Sequence, residues 1–105
     1  MNRKINVLGA TYKIEEIKEQ DKLMIDNSLC GYCDFYEKKI VALASDTTSE
    51  KELHEIERHE LAHAFLYECG LNDSSDWARN EELIDWLAIQ FPKIQALFEK
   101  AGVTK

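Results

Sequence analysis

Along residues 7–17, Leu8, Ala10, Tyr12 and Ile14 alternate with Gly9, Thr11 and Lys13. A period of two places the apolar side chains on one face of an extended chain, which predicts a half-buried strand. Two further short runs, 22–26 and 29–35, flank the turn-prone pair Asn27-Ser28, and Glu37-Lys38 then precedes the apolar stretch Ile40-Val41-Ala42-Leu43-Ala44. Short polar breaks of this kind join neighbouring antiparallel strands. The first half of the chain is therefore read as a small antiparallel sheet of about three or four strands within residues 5–44.

After Asp46-Thr47-Thr48 the period lengthens. Ser49 stands three residues before Glu52, the spacing of a capping box, and Gly70 closes the run, so a helix is predicted over 49–69. Leu53, Ile56, Leu61, Ala64, Phe65 and Leu66 spread round most of its circumference, as in a helix surrounded by core. A second helix is predicted over 75–91, with Ile84, Leu87 and Phe91 at apolar positions and with Trp77 and Trp86 read as core. Pro92 suits the first turn of a third helix, 92–101, which carries Ile94, Leu97 and Phe98 and ends at Gly102. Strands followed by helices make the class α+β, and with no repeat or linker along 1–105 a single domain is expected.

Composition narrows the functional classes. Hydrophobic residues make up 45% of the 105 and charged residues 31%, with four Gly and one Pro, a balance that folds rather than stays disordered. The net charge of −7 repels phosphate backbones, so nucleic acid is disfavoured as a partner. The stretch from Ile40 to Ala44 is too short to cross a bilayer, and Asn2-Arg3-Lys4 is followed by too little apolar sequence for a signal peptide. A cytoplasmic protein with no membrane partner is expected. An odd set of cysteines, Cys30, Cys33 and Cys69, does not make a disulfide framework.

The candidate chemistry lies in the first predicted helix, at His59-Glu60-Leu61-Ala62-His63, an HExxH pattern. Imidazoles four residues apart on a helix are turned by only about 40° and stacked one turn apart, so both can bind one ion. Zn2+ is the expected cofactor, with His59 and His63 as two of its ligands and Glu60 placed to act as general base on a water at the ion. A catalytic zinc needs a third protein ligand. His54, five residues before His59, is rotated by about 140° and points away. Glu81 and Asp85, four apart in the second predicted helix, share a face. Glu81 can reach the ion while Asp85 accepts the remaining ring N–H of a histidine. Glu82 is the rival third ligand, about 100° round the helix from Glu81.

With these residues the sequence resembles the zincin metallopeptidases, and among them the gluzincins, whose third ligand is a glutamate. Thermolysin-like enzymes carry Asn-Glu-x-x-x-Asp after HExxH, and Asn80, Glu81 and Asp85 match it. Size and element order are similar to ImmA/IrrE-type proteins and to minimal phage or prophage gluzincins. The resemblance implies a zincin-like fold and hydrolysis of a peptide or protein substrate. It also implies that the substrate adds as an extended strand to the sheet edge around Lys39–Ala44. Tyr12, Tyr32, Tyr36 and Tyr67 are candidate donors to the developing oxyanion. The chain departs from the family at Glu57, charged where the pattern is usually uncharged. It also lacks thermolysin's second domain and the third histidine of metzincins.

Two other readings stay open. Cys30-Gly31-Tyr32-Cys33 with Cys69 and His54 would make a structural Cys/His zinc module. Alternatively, a zincin fold would hold zinc without turnover, as a binding or adaptor protein.

Overall fold

The computed structural model describes residues 2–105. It is α+β, with a four-stranded mixed sheet and four helices. The strands are β1 (Asn2–Val7), β2 (Ala10–Ile17), β3 (Gly31–Asp34) and β4 (Lys39–Leu43), in the spatial order β1-β2-β4-β3.

The single strand predicted over 7–17 is instead the end of one strand and the whole of the next. Val7 pairs with Ala10 across a two-residue turn at Leu8-Gly9, where φ is 49° and 97°. Successive positive φ values give the twist that joins antiparallel strands tightly, and the Asn6 side chain accepts the Gly9 N–H at 2.9 Å. Leu8 is consequently exposed, while Tyr12 and Ile14 are buried as the alternation requires.

The segment 22–26, expected as a strand, lies in a short helix, α1 (Lys22–Asn27). Asp21 caps it by accepting the Met24 N–H at 3.0 Å, and Ser28 ends it at φ 55°. A local cap thus outweighs a weak strand pattern. Because α1 intervenes, the chain re-enters the sheet on the far side. β3 and β4 pair antiparallel, but β4 lies parallel to β2, so the expected antiparallel sheet is corrected to a mixed one. Ile40, Val41 and Ala42 are all buried, as befits a strand with both faces covered. The segment 39–44 is therefore interior, and β3, not β4, is the edge on that side.

Helix α2 (Glu50–Glu68) starts at the capping box, with Ser49 Oγ accepting the Glu52 N–H at 3.1 Å. It packs between the sheet and the last helix. On one side Ala64 and Leu61 join Val7, Tyr12, Ile14 and Ile40; on the other Leu66 and Ala62 join Ala78 and Ile84. Phe65, expected in the core, is exposed. Gly31 allows α2 to lie close over β3, since a Cβ there would fall 2.6 Å from Ile56 Cγ2 and 3.2 Å from the Val41 carbonyl oxygen.

The two helices predicted over 75–91 and 92–101 are replaced by a different division. A short α3 (Leu71–Ser74) and a 3-10 turn (Asp76–Arg79) lead to one long helix, α4 (Glu81–Ala101), capped by Asn80 Oδ1 on the Leu83 N–H at 2.8 Å. Pro92 sits inside α4. A proline lacks the N–H that would bond the carbonyl four residues earlier, here that of Ala88. Arg58 of α2 supplies the missing donor, its Nε lying 2.6 Å from the Ala88 oxygen. The helix survives its proline because a neighbouring helix completes it. Trp77 and Trp86, expected in the core, are 50% and 53% exposed.

Candidate metal centre

The helical register of α2 brings His59 and His63 to the floor of an open cleft of about 850 Å³, whose opposite wall is β3 from Gly31 to Cys33. The first turn of α4 completes the group. His59 Nε2 lies 2.8 Å from Glu81 Oε1, His63 Nε2 lies 3.0 Å from Glu81 Oε2, and the two Nε2 atoms are 3.1 Å apart. Asp85 Oδ1 stands 3.5 Å from His59 Nδ1, on the far side of that ring. Glu60 approaches from the sheet side, and its carboxylate with the two ring nitrogens forms a set of atoms within 4.8 Å of one another.

Three Lewis bases facing one point repel unless a proton or a cation lies among them. Ligands bonded to a tetrahedral zinc at 2.0–2.2 Å stand about 3.3–3.6 Å from one another. The separations here, 2.8 to 3.3 Å, fall slightly below that range, so the fit requires a small outward shift of the exposed carboxylate and a slight parting of the two imidazoles. His59, His63 and Glu81 thus suit a tetrahedral ion with one position left for solvent or substrate.

Electrostatics separate the roles. Burial pushes the Glu60 carboxyl up to about 7, with His59 opposing the shift and Glu81 adding to it. Glu60 is 8% exposed and, among the described residues, receives no hydrogen bond or cation. Burial also acts to raise the Glu81 carboxyl, but His63 and His59 outweigh it and hold Glu81 below its ordinary value. Burial lowers the His63 imidazole, keeping it neutral and able to donate a lone pair, although Glu81 pulls the other way.

The two glutamates that open α4 point in different directions. Glu81 faces the imidazoles, whereas Glu82 turns away and lines a separate notch with Trp77 and Trp86. His54 is exposed and outside the cleft. The Cys/His module is not assembled: among the described residues neither His54 nor any cysteine belongs to the group of His59, Glu60 and His63 whose ligand atoms come together. Cys30 and Cys69 are exposed, and Cys33 is a partly buried thiol pushed up to about 12 by burial and by Glu60 nearby.

Of the four tyrosines, Tyr32 alone lines the cleft, and its hydroxyl donates to Asp21 Oδ2 at 2.7 Å. Tyr12 donates to Glu68, Tyr67 stacks on Phe35 with ring centres 4.2 Å apart, and Tyr36 is fully exposed. The cationic donor in the cleft wall is Arg79, which sequence reasoning did not single out. Its guanidinium is held by the Asn72 carbonyl and by Asp76 Oδ1. Only its position, two residues before Glu81, hinted at the site.

Compared with models of protein families, with curated proteins and with solved structures, the chain matches none. No helix among the described residues is long and apolar enough to cross a membrane.

Proposed function

We propose that this chain is a zinc-dependent metallopeptidase of minimal, gluzincin type on a zincin-like fold. The observation that supports this reading is the convergence of His59 Nε2, His63 Nε2 and the Glu81 carboxylate within 3.3 Å, beside a buried carboxylate with no cation. A bound zinc would supply Lewis acidity, activating water and polarising a carbonyl oxygen. Glu60 would take a proton from the attacking water onto its carboxylate and pass it to the leaving nitrogen, a task suited to a group poised near neutrality. Asp85, whose Oδ1 stands 3.5 Å from His59 Nδ1, would fix the ring's tautomer and orientation by accepting its N–H. Arg79 replaces the tyrosines as the candidate donor toward developing negative charge. The accessible backbone edge for an extended peptide is β3, in place of the expected 39–44 segment.

Elemental analysis of the purified, untagged protein tests the reading at its base. One zinc per chain is expected, lost in Glu81→Ala and kept in Glu82→Ala. A protein that is metal-free and cannot be reloaded overturns the proposal. A second reading, zinc held for binding without turnover, draws on the prior engagement of the Tyr32 hydroxyl by Asp21. Biological activity that persists in Glu60→Gln would favour it.

A further inference from the structure

An exposed tryptophan leaves one of the largest apolar side-chain areas in water. This chain has two, and both are about half exposed. They are not scattered. Trp77, from the 3-10 turn, and Trp86, from the second turn of α4, line one notch of about 280 Å³ together with Asn80, Glu82 and Leu83. Among the described residues neither indole N–H finds an acceptor, neither ring stacks on another aromatic, and no lysine or arginine of the chain lies over either ring. The chain's own cation–π contacts are made elsewhere, by Lys38 over Tyr12 and Tyr67.

Indole faces are electron-rich and attract cations, more strongly as the cation leaves water. The carboxylate at the notch has the same preference. Glu82 makes no ion pair or hydrogen bond among the described residues, so its charge is available, and the chain's net charge of −7 adds a field of the same sign. An aromatic notch of this size with one carboxylate is complementary to a single basic side chain, and it would leave a neutral apolar side chain without the charge partner.

We infer that the Trp77–Trp86 notch binds a lysine or arginine side chain of a partner protein, with the cation between the indoles and Glu82. The notch and the metal centre use adjacent residues of the same turn, Glu82 and Glu81, that point in different directions. The inference does not depend on turnover at the metal.

The two indole N–H signals in a nitrogen-15 correlation spectrum report on the notch alone, since no other residue of the chain gives one. The probes are N-acetyl-arginine amide and N-acetyl-lysine amide, with N-acetyl-norleucine amide as a neutral control of similar length, at constant ionic strength. Both indole signals are expected to move along one saturable curve with at least one basic probe and to stay in place with norleucine. In Glu82→Gln, an exposed change, the affinity should fall about 1.4- to 5-fold, the range of an exposed ion pair. Signals that do not saturate, that respond equally to norleucine, or that titrate unchanged in Glu82→Gln overturn the inference.

Discussion

Glu57 and Glu60 lie one turn apart on α2 and are the two buried charged residues of the described chain, 6% and 8% exposed. Their surroundings differ completely. Glu57 points under the β1–β2 hairpin, where Arg3 NH2 meets its Oε1 at 2.8 Å and Glu16 lies on the same guanidinium at 3.6 Å. Its second oxygen, Oε2, is buried without a hydrogen-bond partner. Glu60 has no such cation and opens instead onto the cleft, beside two imidazoles. Burial raises both carboxyls, against Arg3 for Glu57 and against His59 for Glu60. A buried carboxylate with its own arginine ties a hairpin to a helix. One without, facing a cleft and two histidines, is free to exchange a proton. The charged residue at position 57 that departs from the gluzincin pattern is thus turned toward the sheet, away from the candidate metal centre.

Replacing Glu60 is the strongest way to break this comparison. Glu60→Gln should retain zinc and lose about 10²- to 10⁴-fold in hydrolysis, the usual contribution of a general base, as measured with a cleavable peptide on the zinc-loaded protein. A variant that remains fully active would place Glu60 with Glu57 among the structural carboxylates.

Arg58, between the two, supplies the next largest effect. Arg58→Met leaves the Ala88 carbonyl without a donor, and urea unfolding should show a loss of about 1–3 kcal/mol. In a Pro92→Ala background α4 closes its own bond, so the same change should cost markedly less. Equal costs in both backgrounds would show that Arg58 does not compensate the proline.

Removing the cation from Glu57 tests the other side. Arg3→Met should destabilise the protein by about 1–2 kcal/mol at pH 7, less than a fully buried pair would because Arg3 is partly exposed. Below the ordinary carboxyl value of 4.5 the penalty should vanish, because Glu57 is then protonated whether folded or unfolded. A penalty independent of pH would mean that Arg3 acts by packing alone.

The smallest effect is expected from Glu57→Gln. Protonation of Glu57 favours the folded state, and that contribution is lost as pH rises through the raised folded value. The neutral amide should therefore unfold at a higher temperature than the parent chain at pH 7 and at the same temperature in acid. The reverse order at pH 7 would show that Arg3 outweighs burial there.

The parts of the fold legible in the sequence are those set by short-range chemistry. The capping box at Ser49 located the start of α2, the HExxH spacing put two imidazoles on one face, and the run Ile40-Val41-Ala42 marked a strand. The Glu81–Asp85 spacing likewise put both carboxylates on one side of α4. Where the reading failed, a contact distant in sequence had overridden a local pattern, or one local signal had outweighed another. Pro92 reads as a helix start until Arg58, far back in the chain, takes up the Ala88 carbonyl. The alternation across residues 7–17 concealed a hairpin, and Asp21 capped a helix where a strand was read.

By itself, then, the sequence determined a chain with a central helix carrying two histidines and a glutamate, and a later helix that opens with acidic residues. Tertiary structure alone decided that β4 lies inside the sheet and β3 at its edge, that Glu81 rather than Glu82 faces the imidazoles, and that both tryptophans remain outside the core. Helix periodicity and capping act within about a turn, so sequence spacing reports them. Strand order, the rotation of one helix against another and the choice of which apolar surface stays uncovered depend on packing between segments far apart in the chain, which spacing does not record.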